Sequence, residues 1–345
     1  YLHSIWINHA IGRRGCVPLH PRLQHAFFTY FAALNGGLIM KETKSAARSS
    51  RADIMRGGTL FKVAFSFPAV LIYLVAMIIP IFLSIYYSLH KWGGIGAMQW
   101  AGIKNYTKMF SSSDYQMVTG NTFMLVLLSL LITVPLSLAL AYLIFRTARG
   151  FKFFRASIFV PVIISPFIIG IIFAILLNAD YGPINQFLKM IGLGALARPW
   201  LTDTGTVLYA VIAAQIWQNL GYFTIIFLAG MQSVPEEILE SARIDGANSF
   251  SVFRRIMIPL IADVWQIVIV LVVTGALKSF GFSQAMTAGG PGSRSAFFTV
   301  YLYRKAFLES DFGTSSAASF MILLYALVFT LLFNWVCRRI KNITE

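Results

Sequence analysis

Five long stretches of the 345-residue chain contain no charged residue and no histidine, and this pattern constrains the fold more than any other feature. They cover residues 63–89, 115–145, 156–179, 204–235 and 312–337. Each exceeds the roughly 20 apolar residues that a helix needs to cross the hydrocarbon core of a membrane. A sixth apolar stretch, 261–286, is interrupted by Asp263 and Lys278 but otherwise has the same character. The sequence therefore predicts an all-α integral membrane protein with six transmembrane helices, at about 63–89, 120–145, 156–179, 206–230, 261–286 and 314–337.

The composition excludes a soluble enzyme and gives the net charge a topological meaning. Charged residues make up 12% of the chain, hydrophobic residues 57%, and the mean hydropathy is +0.72, which leaves too little polar surface for a soluble body. The formal net charge of +15 would suggest a nucleic-acid partner in a soluble domain. Here, however, basic residues gather in loops on one side of the predicted spans, as in the Arg146–Arg155 loop, which has no acid. The positive-inside rule assigns that side and both termini to the cytoplasm, and we expect membrane lipid, not nucleic acid, around the chain.

The scarcity of reactive side chains excludes most catalytic sites. The chain has two cysteines, Cys16 and Cys337, near its opposite ends, and all five histidines lie within the first 90 residues. Neither a cysteine pair for metal or redox chemistry nor a histidine-based site fits the rest of the chain. A phosphate-binding loop of the GxxxxGK[ST] type is also absent from the sequence, so any ATP would be bound by another chain. We expect no catalytic residue, no metal and no cofactor.

The segment before the first span divides into two parts. Residues 1–39 begin with Tyr1, show no sustained helical or strand periodicity and contain four of the five histidines. Met40 opens a polar, basic stretch typical of a cytoplasmic segment before a first span. We expect residues 1–39 to be a non-native or disordered leader, 40–62 a cytoplasmic N-terminal segment, and 63–341 the transmembrane domain.

The inner loop between the fourth and fifth predicted spans, residues 232–260, is called the acidic loop below. It holds four of the chain's 13 acids within ten residues, at Glu236, Glu237, Glu240 and Asp245. Ser233-x-x-Glu236 matches a capping box and predicts a helix that starts at Val234. Gly246 can end that helix in a left-handed conformation. A second short helix is predicted over 250–258, ending before Pro259.

Two interpretations of the acidic loop compete. It could be an amphipathic segment that rests in the membrane interface, or a docking surface for a soluble partner. Interfacial helices are usually rich in Lys and Arg because the inner leaflet is anionic, whereas this loop has four acids and three bases. The charge balance favours a docking surface.

The acidic loop resembles the EAA loop of ABC-importer permeases. The resemblance rests on Glu240-Ser241-Ala242-x-x-Asp245-Gly246-Ala247, followed by Ile258-Pro259-Leu260. Ser241 stands where the family usually has Ala, and Ile258 stands where it has Leu. Further matching segments are Phe153-Phe154-Arg155, Asp180-Tyr181-Gly182-Pro183-Ile184-Asn185, Phe227 to Pro235, Thr287-x-Gly289-Gly290-Pro291 and Tyr303-x-x-Ala306-Phe307. Their order and spacing are similar to the carbohydrate-uptake branch, the maltose and glycerol-phosphate type permeases.

This resemblance implies a function and a set of partners. The chain would be the permease subunit of an ATP-driven sugar importer in a bacterial plasma (inner) membrane. Its partners would be a second permease subunit in a heterodimer, two copies of a cytoplasmic ATPase and an extracytoplasmic solute-binding protein. The acidic loop would be the coupling helix that docks on the ATPase. The residues that the resemblance assigns to coupling are Glu240, Ser241, Ala242, Asp245, Gly246, Ala247 and Pro259.

Polar and aromatic residues inside the spans are candidates for the substrate pathway, because such residues often mark a pathway through a membrane protein. Trp217, Asn219 and Tyr222 are the candidates on the fourth span, and Lys278 and Gln284 those on the fifth. For each residue, packing between helices is an equally good explanation. Lys278 could also extend its ammonium group toward the outer interface.

An ion-coupled secondary transporter or channel is the main alternative. Such a protein usually carries charged residues within its spans, and five of the predicted spans have none. A membrane-embedded enzyme is a third possibility, but the spans lack a histidine, cysteine or paired-carboxylate constellation. The sugar and the partner permease cannot be read from the sequence.

Overall fold

The computed structural model describes residues 59–146 and 150–344. The predicted leader and residues 40–58 of the predicted N-terminal segment lie outside the described residues. The chain divides into two units, Tyr1–Met77 and Ile78–Glu345. The described part of the first unit is helical, and the second unit contains the remaining elements.

Helices dominate the described residues, as the sequence predicts. The first helix, α1, spans Thr59–Tyr73 and continues into a π-helical segment, Leu74–Ile78. The following helices are α2 Ile79–Ser88, α3 Lys104–Ser111, α4 Ser113–Leu128, α5 Val134–Arg146, α6 Phe151–Ile163, α7 Pro166–Leu176, α8 Pro183–Met190, α9 Val207–Gln232, α10 Glu236–Ile244, α11 Ser249–Ser251, α12 Ile258–Leu260, α13 Ala262–Leu277, α14 Gly281–Thr287, α15 Phe298–Tyr303 and α16 Phe312–Thr344. Further π-helical segments are Ser129–Thr133, Val252–Met257 and Arg304–Leu308, and Gly194–Leu196 is a 3₁₀ turn. Two short antiparallel strands, β1 His90–Lys91 and β2 Gln99–Trp100, pair His90 with Trp100.

Five described helical stretches are long and apolar enough to cross a membrane. They are Ala64–Ser88, Ser113–Arg146, Val207–Gln232, Ala262–Thr287 and Phe312–Arg339. The third predicted span, 156–179, is not one straight helix, because α6 and α7 meet at a bend of 93°. The structure therefore has five spanning helices, or up to six if the bent pair counts as one span.

The bend between α6 and α7 follows from the local sequence. Ile164 is extended, with φ −78° and ψ 138°, which ends α6. Pro166 then occupies the first turn of α7, where its missing N–H costs no hydrogen bond. The Ser165 hydroxyl caps α7 by accepting a hydrogen bond from the Phe167 N–H at 3.3 Å. The Gln218 side-chain amide on α9 donates to the carbonyls of Pro161 and Ile164, at 3.0 and 2.7 Å.

Gly221 allows α9 to lie against α6. A Cβ atom at this position would stand 2.0 Å from the Ile158 carbonyl oxygen and 3.0 Å from a methyl carbon of Val162. Both groups belong to α6, and the nearer one is backbone, which cannot turn away as a flexible side chain can. The hydrogen atom of glycine is therefore required for this close packing.

Buried side chains in the second unit form three clusters. One joins α5, α9 and α13 to the acidic loop, through residues such as Leu138, Phe227, Leu239 and Met257. A second joins α4, α13, α15 and α16. The third lies among α7, α9 and α14. Helix α9 contributes to two of these clusters, and α13 to all three, so these two helices connect the loop to the rest of the unit.

The start of α16 is fixed by the carboxylate of Asp311. It accepts hydrogen bonds from the backbone N–H of Thr314 at 3.0 Å and from the Thr314 hydroxyl at 2.9 Å, and it pairs with Lys108 at 2.6 Å. Burial raises the pKa of Asp311, but Lys108 and the Thr314 donors outweigh it and leave the pKa below its ordinary value. The carboxylate is therefore charged at neutral pH and ties α3 to α16.

We expect Gly221→Ala to destabilise the protein, because the added methyl group must push α9 away from the Ile158 carbonyl. Overpacking of this kind costs about 1–3 kcal/mol. Gly120→Ala on α4 is the matched control, since an added Cβ there meets nothing within 4 Å. In the detergent-solubilised protein, Gly221→Ala should lower the thermal unfolding midpoint while Gly120→Ala leaves it unchanged or raises it. Equal midpoints for the two variants would contradict this account of the α6–α9 contact.

Candidate functional site

The acidic loop begins differently from the sequence prediction. Helix α9 continues to Gln232, and Ser233 is its helical C-terminal cap. The Ser233 hydroxyl donates back to the carbonyl of Gly230 at 2.7 Å and caps no following helix. Helix α10 starts at Glu236 after Pro235, without a side-chain cap. The predicted capping box and the predicted start at Val234 are therefore wrong, because the serine side chain is used by the preceding helix.

The end of α10 agrees with the sequence prediction. Gly246 has φ +80°, the left-handed region that disfavours residues with a side chain. Its N–H donates to the carbonyl of Arg243, and the N–H of Ala247 donates to that of Ala242, both at 3.0 Å. This pair of bonds is the Schellman motif. It stops the helix at a defined residue and turns the chain sharply.

The second helical part of the loop is longer than predicted. Asn248 caps it, with its side-chain oxygen accepting from the Ser251 N–H at 2.8 Å. From there α11, the π-helical segment 252–257 and α12 follow without a break to Leu260. Pro259 lies in the first turn of α12, so the predicted end before this proline is wrong. The π-helical register changes the hydrogen bonding ahead of Pro259, where the missing N–H is tolerated.

The acidic loop is attached to the spans on one face. Leu239 and Ala242 of α10 are buried in the cluster formed by α5, α9 and α13. The hydroxyl of Tyr142 on α5 donates to the carbonyl of Ser249 at 2.6 Å, and its ring lies 4.3 Å from the ring of Phe253. The loop is therefore held by apolar packing and by a side-chain hydrogen bond to a spanning helix.

The exposed surface of the loop carries its four acids together with its three bases, Arg243, Arg254 and Arg255. Glu236, Glu237, Glu240 and Asp245 are all exposed. The ion pairs of the described residues are Lys108–Asp311 and Lys305–Glu309, so none of these four acids is neutralised within the described chain. Of the other residues predicted for coupling, Ser241, Gly246 and Pro259 are exposed, Ala247 is half-buried and Ala242 is buried.

A cavity of about 360 Å³ lies within the spans and is called the central cavity below. It is lined by Ser129, Thr133, Pro166, Gln215, Gln218, Asn219, Tyr222, Phe223, Leu271, Val272, Gly275, Ala276, Lys278, Ser279, Phe280, Gly281 and Phe282. Three residues predicted for the substrate pathway, Asn219, Tyr222 and Lys278, thus lie together. Trp217 and Gln284 do not line this cavity; Trp217 is exposed and packs on Phe173, with ring centroids 5.4 Å apart.

Some polar groups of the central cavity are satisfied by neighbouring helices. The Ser279 hydroxyl donates to the side-chain oxygen of Gln215 at 2.5 Å, and Gln218 donates to the carbonyls at the end of α6. Thr133 is 1% exposed, and its hydroxyl has no hydrogen-bond partner within the described residues. Thr133 was not predicted from the sequence; its spacing of four from Ser129, which places both on one helical face, was the available signal.

Comparison with known proteins finds membrane components of transport systems. The family model described as binding-protein-dependent transport system inner membrane component matches residues 133–342. The chain is 32% identical over 265 residues to a probable ABC transporter permease protein, YurN, of Bacillus subtilis (strain 168), covering 76% of this chain and 91% of the relative. It is 28% identical to AmyD of Thermoanaerobacterium thermosulfurigenes, a probable starch degradation products transport system permease protein, covering 76% and 88% of the two chains.

A solved structure has a similar fold. It is a bacterial ABC transporter involved in the import of the acidic polysaccharide alginate, with a TM-score of 0.72 and 25% sequence identity. The alignment covers 85% of this chain and 99% of the other.

We expect Tyr142→Phe to loosen the attachment of the acidic loop, because the ring contact with Phe253 remains while the hydrogen bond to Ser249 is lost. A hydrogen bond of this kind contributes about 0.5–1.5 kcal/mol, or up to about tenfold in a local opening equilibrium. Amide hydrogen exchange should therefore become faster over residues 249–253 and stay unchanged in α13. Tyr209→Phe is the control, since Tyr209 is exposed and makes no side-chain hydrogen bond within the described residues. Unchanged exchange over 249–253 would show that the hydroxyl does not anchor the loop.

Proposed function

The chain belongs to the family of binding-protein-dependent transport system inner membrane components, and from that premise we propose that its acidic loop couples a separate ATPase to sugar import. It is a permease subunit of a carbohydrate ABC importer, not an enzyme, and ATP is hydrolysed by a separate ATPase.

One observation carries the coupling proposal: the acidic loop presents unneutralised carboxylates on one face and is packed into the spans on the other. The exposed Glu240 suits a contact with basic groups of a soluble partner. Leu239 and Ala242, on the buried face, suit the transfer of a displacement to the helices beneath. A loop that only rested in the membrane interface would need neither the Schellman stop at Gly246 nor the Tyr142 anchor.

The path of this displacement is short. The acidic loop packs against the ends of α5, α9 and α13, and two of these helices, α9 and α13, also line the central cavity. Packed helices move as rigid bodies, because interiors at crystal-like density have few continuous deformations. A shift of the loop by a closing ATPase would therefore tilt the walls of the cavity.

We assign the acidic loop and both chain termini to the cytoplasmic side. Arg146, at the end of α5, lines a cavity together with Leu239 and Arg243 of the loop, so this basic residue lies beside the loop, in agreement with the positive-inside rule. The opposite end, with the β1–β2 pair and α3, then faces outward, where an extracytoplasmic solute-binding protein delivers the sugar. A second permease subunit completes the translocation pathway, and two ATPase copies serve the two permeases.

The central cavity is the proposed sugar pathway. Asn219 supplies amide groups for sugar hydroxyls, and Tyr222 supplies an aromatic ring and a hydroxyl. Neither side chain makes a hydrogen bond within the described residues, so both are available to a ligand. An ion-coupled mechanism, the alternative from the sequence, is not favoured, because the chain belongs to a family of ATP-driven importers.

Charge reversal at Glu240 tests the docking surface. Glu240→Lys should release the ATPase during co-purification, because the lysine would oppose the basic groups that the carboxylate contacts. Asp180→Lys is the matched control, since Asp180 is also exposed, its side chain makes no hydrogen bond or ion pair within the described residues, and it lies outside the acidic loop. Retention of the ATPase by Glu240→Lys at the level of the control would refute the proposed docking site.

Substitution of Gly246 tests the need for the sharp bend. An added Cβ meets no atom of the described chain within 4 Å, so the cost within this chain is that of the left-handed backbone, about 1–2 kcal/mol for a residue with a side chain. Gly246→Val should uncouple ATP hydrolysis from uptake in proteoliposomes while membrane insertion is preserved. Gly246→Asn should retain more coupling, because asparagine tolerates this conformation. Normal uptake by Gly246→Val would count against the coupling role.

A further inference from the structure

The central cavity contains one charged side chain, Lys278. Its other lining residues are apolar or neutral and polar, and neither an aspartate nor a glutamate is among them. Lys278 follows the last residue of α13, about two-thirds of the way along the apolar stretch Ala262–Thr287. The side chain is exposed at the cavity wall.

The ammonium group of Lys278 has no carboxylate partner within the described residues. The ion pairs there are Lys108–Asp311 and Lys305–Glu309, and both lie outside the cavity. The C-terminal carbonyls of α13 carry only a partial negative charge. Charged groups inside membrane spans are rare and normally paired, and an unpaired one marks a pathway or a binding site.

Neutral hydrogen-bonding groups line the same cavity as this cation. The Thr133 hydroxyl is buried against the cavity without a partner, although buried hydroxyl groups are normally hydrogen-bonded. The side chains of Asn219 and Tyr222 line the same cavity and also lack hydrogen bonds within the described chain. A single cation among uncompensated hydroxyl and amide groups matches a ligand that combines one negative charge with several hydroxyl groups.

We propose that the carbohydrate carried by this permease bears an acidic group, a carboxylate or a phosphate ester, and that Lys278 binds it. This inference rests on the proposed function, in which the central cavity is the sugar pathway. Thr133, Asn219 and Tyr222 would then bind the hydroxyl groups beside the acid. Lysine presents a compact point charge, so it accepts both a carboxylate and a phosphate, whereas a planar guanidinium favours bidentate pairing.

The test measures binding to the assembled importer, with its ATPase and second permease present and the solute-binding protein omitted, so that upstream selection does not hide the selectivity of the cavity. Three probes of similar size are compared: a neutral disaccharide, the same disaccharide with one glucuronate unit, and its 6-phosphate ester. Lys278→Gln removes the charge, and Lys278→Arg keeps it. Lys189→Gln is the matched control, because Lys189 is an exposed lysine on α8 outside the cavity.

We expect the wild-type importer to bind at least one acidic probe roughly tenfold or more tightly than the neutral probe, since a charge-assisted hydrogen bond contributes that much. Lys278→Gln should abolish the preference, while Lys278→Arg and Lys189→Gln keep it. Whichever acidic probe loses affinity in Lys278→Gln identifies the group that Lys278 binds, the carboxylate or the phosphate.

Four results would overturn the inference. Equal binding of neutral and acidic probes by the wild-type importer would show that Lys278 does not select an anion, and the proposed function would stand. The conclusion would be the same if the preference for an acidic probe survived in Lys278→Gln, or if Lys189→Gln reduced that preference as much as Lys278→Gln does. Binding of none of the three sugars would overturn the sugar pathway itself, while the release of the ATPase by Glu240→Lys would still report separately on coupling. If Lys278→Gln fails to assemble, the wild-type preference and its persistence in Lys278→Arg decide the matter.

Discussion

Backbone carbonyl groups inside a membrane must find hydrogen-bond donors within the protein, because lipid offers none, and the arrangement of α6, α7 and α9 depends on this constraint. The bend of 93° between α6 and α7 takes carbonyls out of the helical pattern. The Gln218 amide supplies donors to two of them, at Pro161 and Ile164. This is possible only because Gly221, one turn further along α9, lets the two helices approach closely.

Helix α9 therefore contacts three parts of the structure at once. Its C-terminal half packs with α5 and α13 beneath the acidic loop, its middle satisfies the broken span, and its polar face lines the central cavity. The ring of Phe227 lies 5.3 Å from that of Trp265, which joins α9 to α13 at the loop end. A movement of the loop that displaced α9 would act on the cavity wall and on the α6–α7 bend together. In the proposed coupling, such a movement would need no flexible intermediate.

The sequence was sufficient to predict the features that depend on composition. The predictions were wrong where one residue can make either of two local interactions. Apolar length predicted the spanning helices, and the glycine at 246 predicted the left-handed stop. Ser233 fits a capping box as well as a hydroxyl that bonds back to Gly230, and only the continuation of α9 decides between them. Pro161 and Pro166 can interrupt a helix, but the donors that satisfy the Pro161 and Ile164 carbonyls come from Gln218, 54 to 57 residues away, and could not be predicted. Trp217 and Gln218 are neighbours in sequence yet face different surroundings, because adjacent helical residues point about 100° apart.

The position of Lys278 also has a purely structural explanation, which is its interaction with the dipole of α13. A cation at the C-terminal end of α13 complements the helix dipole, as Asp263 does in the first turn. That interaction contributes about 0.3–1 kcal/mol, whereas a lysine within a spanning helix costs up to about 2.5–3.5 kcal/mol on insertion scales, the value that applies at the centre. The dipole alone therefore does not compensate for the charge. Hydration by water in the central cavity can offset the remaining cost of the charge. Water would, however, hydrate the lysine equally well at the outer interface. A cation kept at the wall of a cavity without a carboxylate is best explained by a ligand that supplies the negative charge.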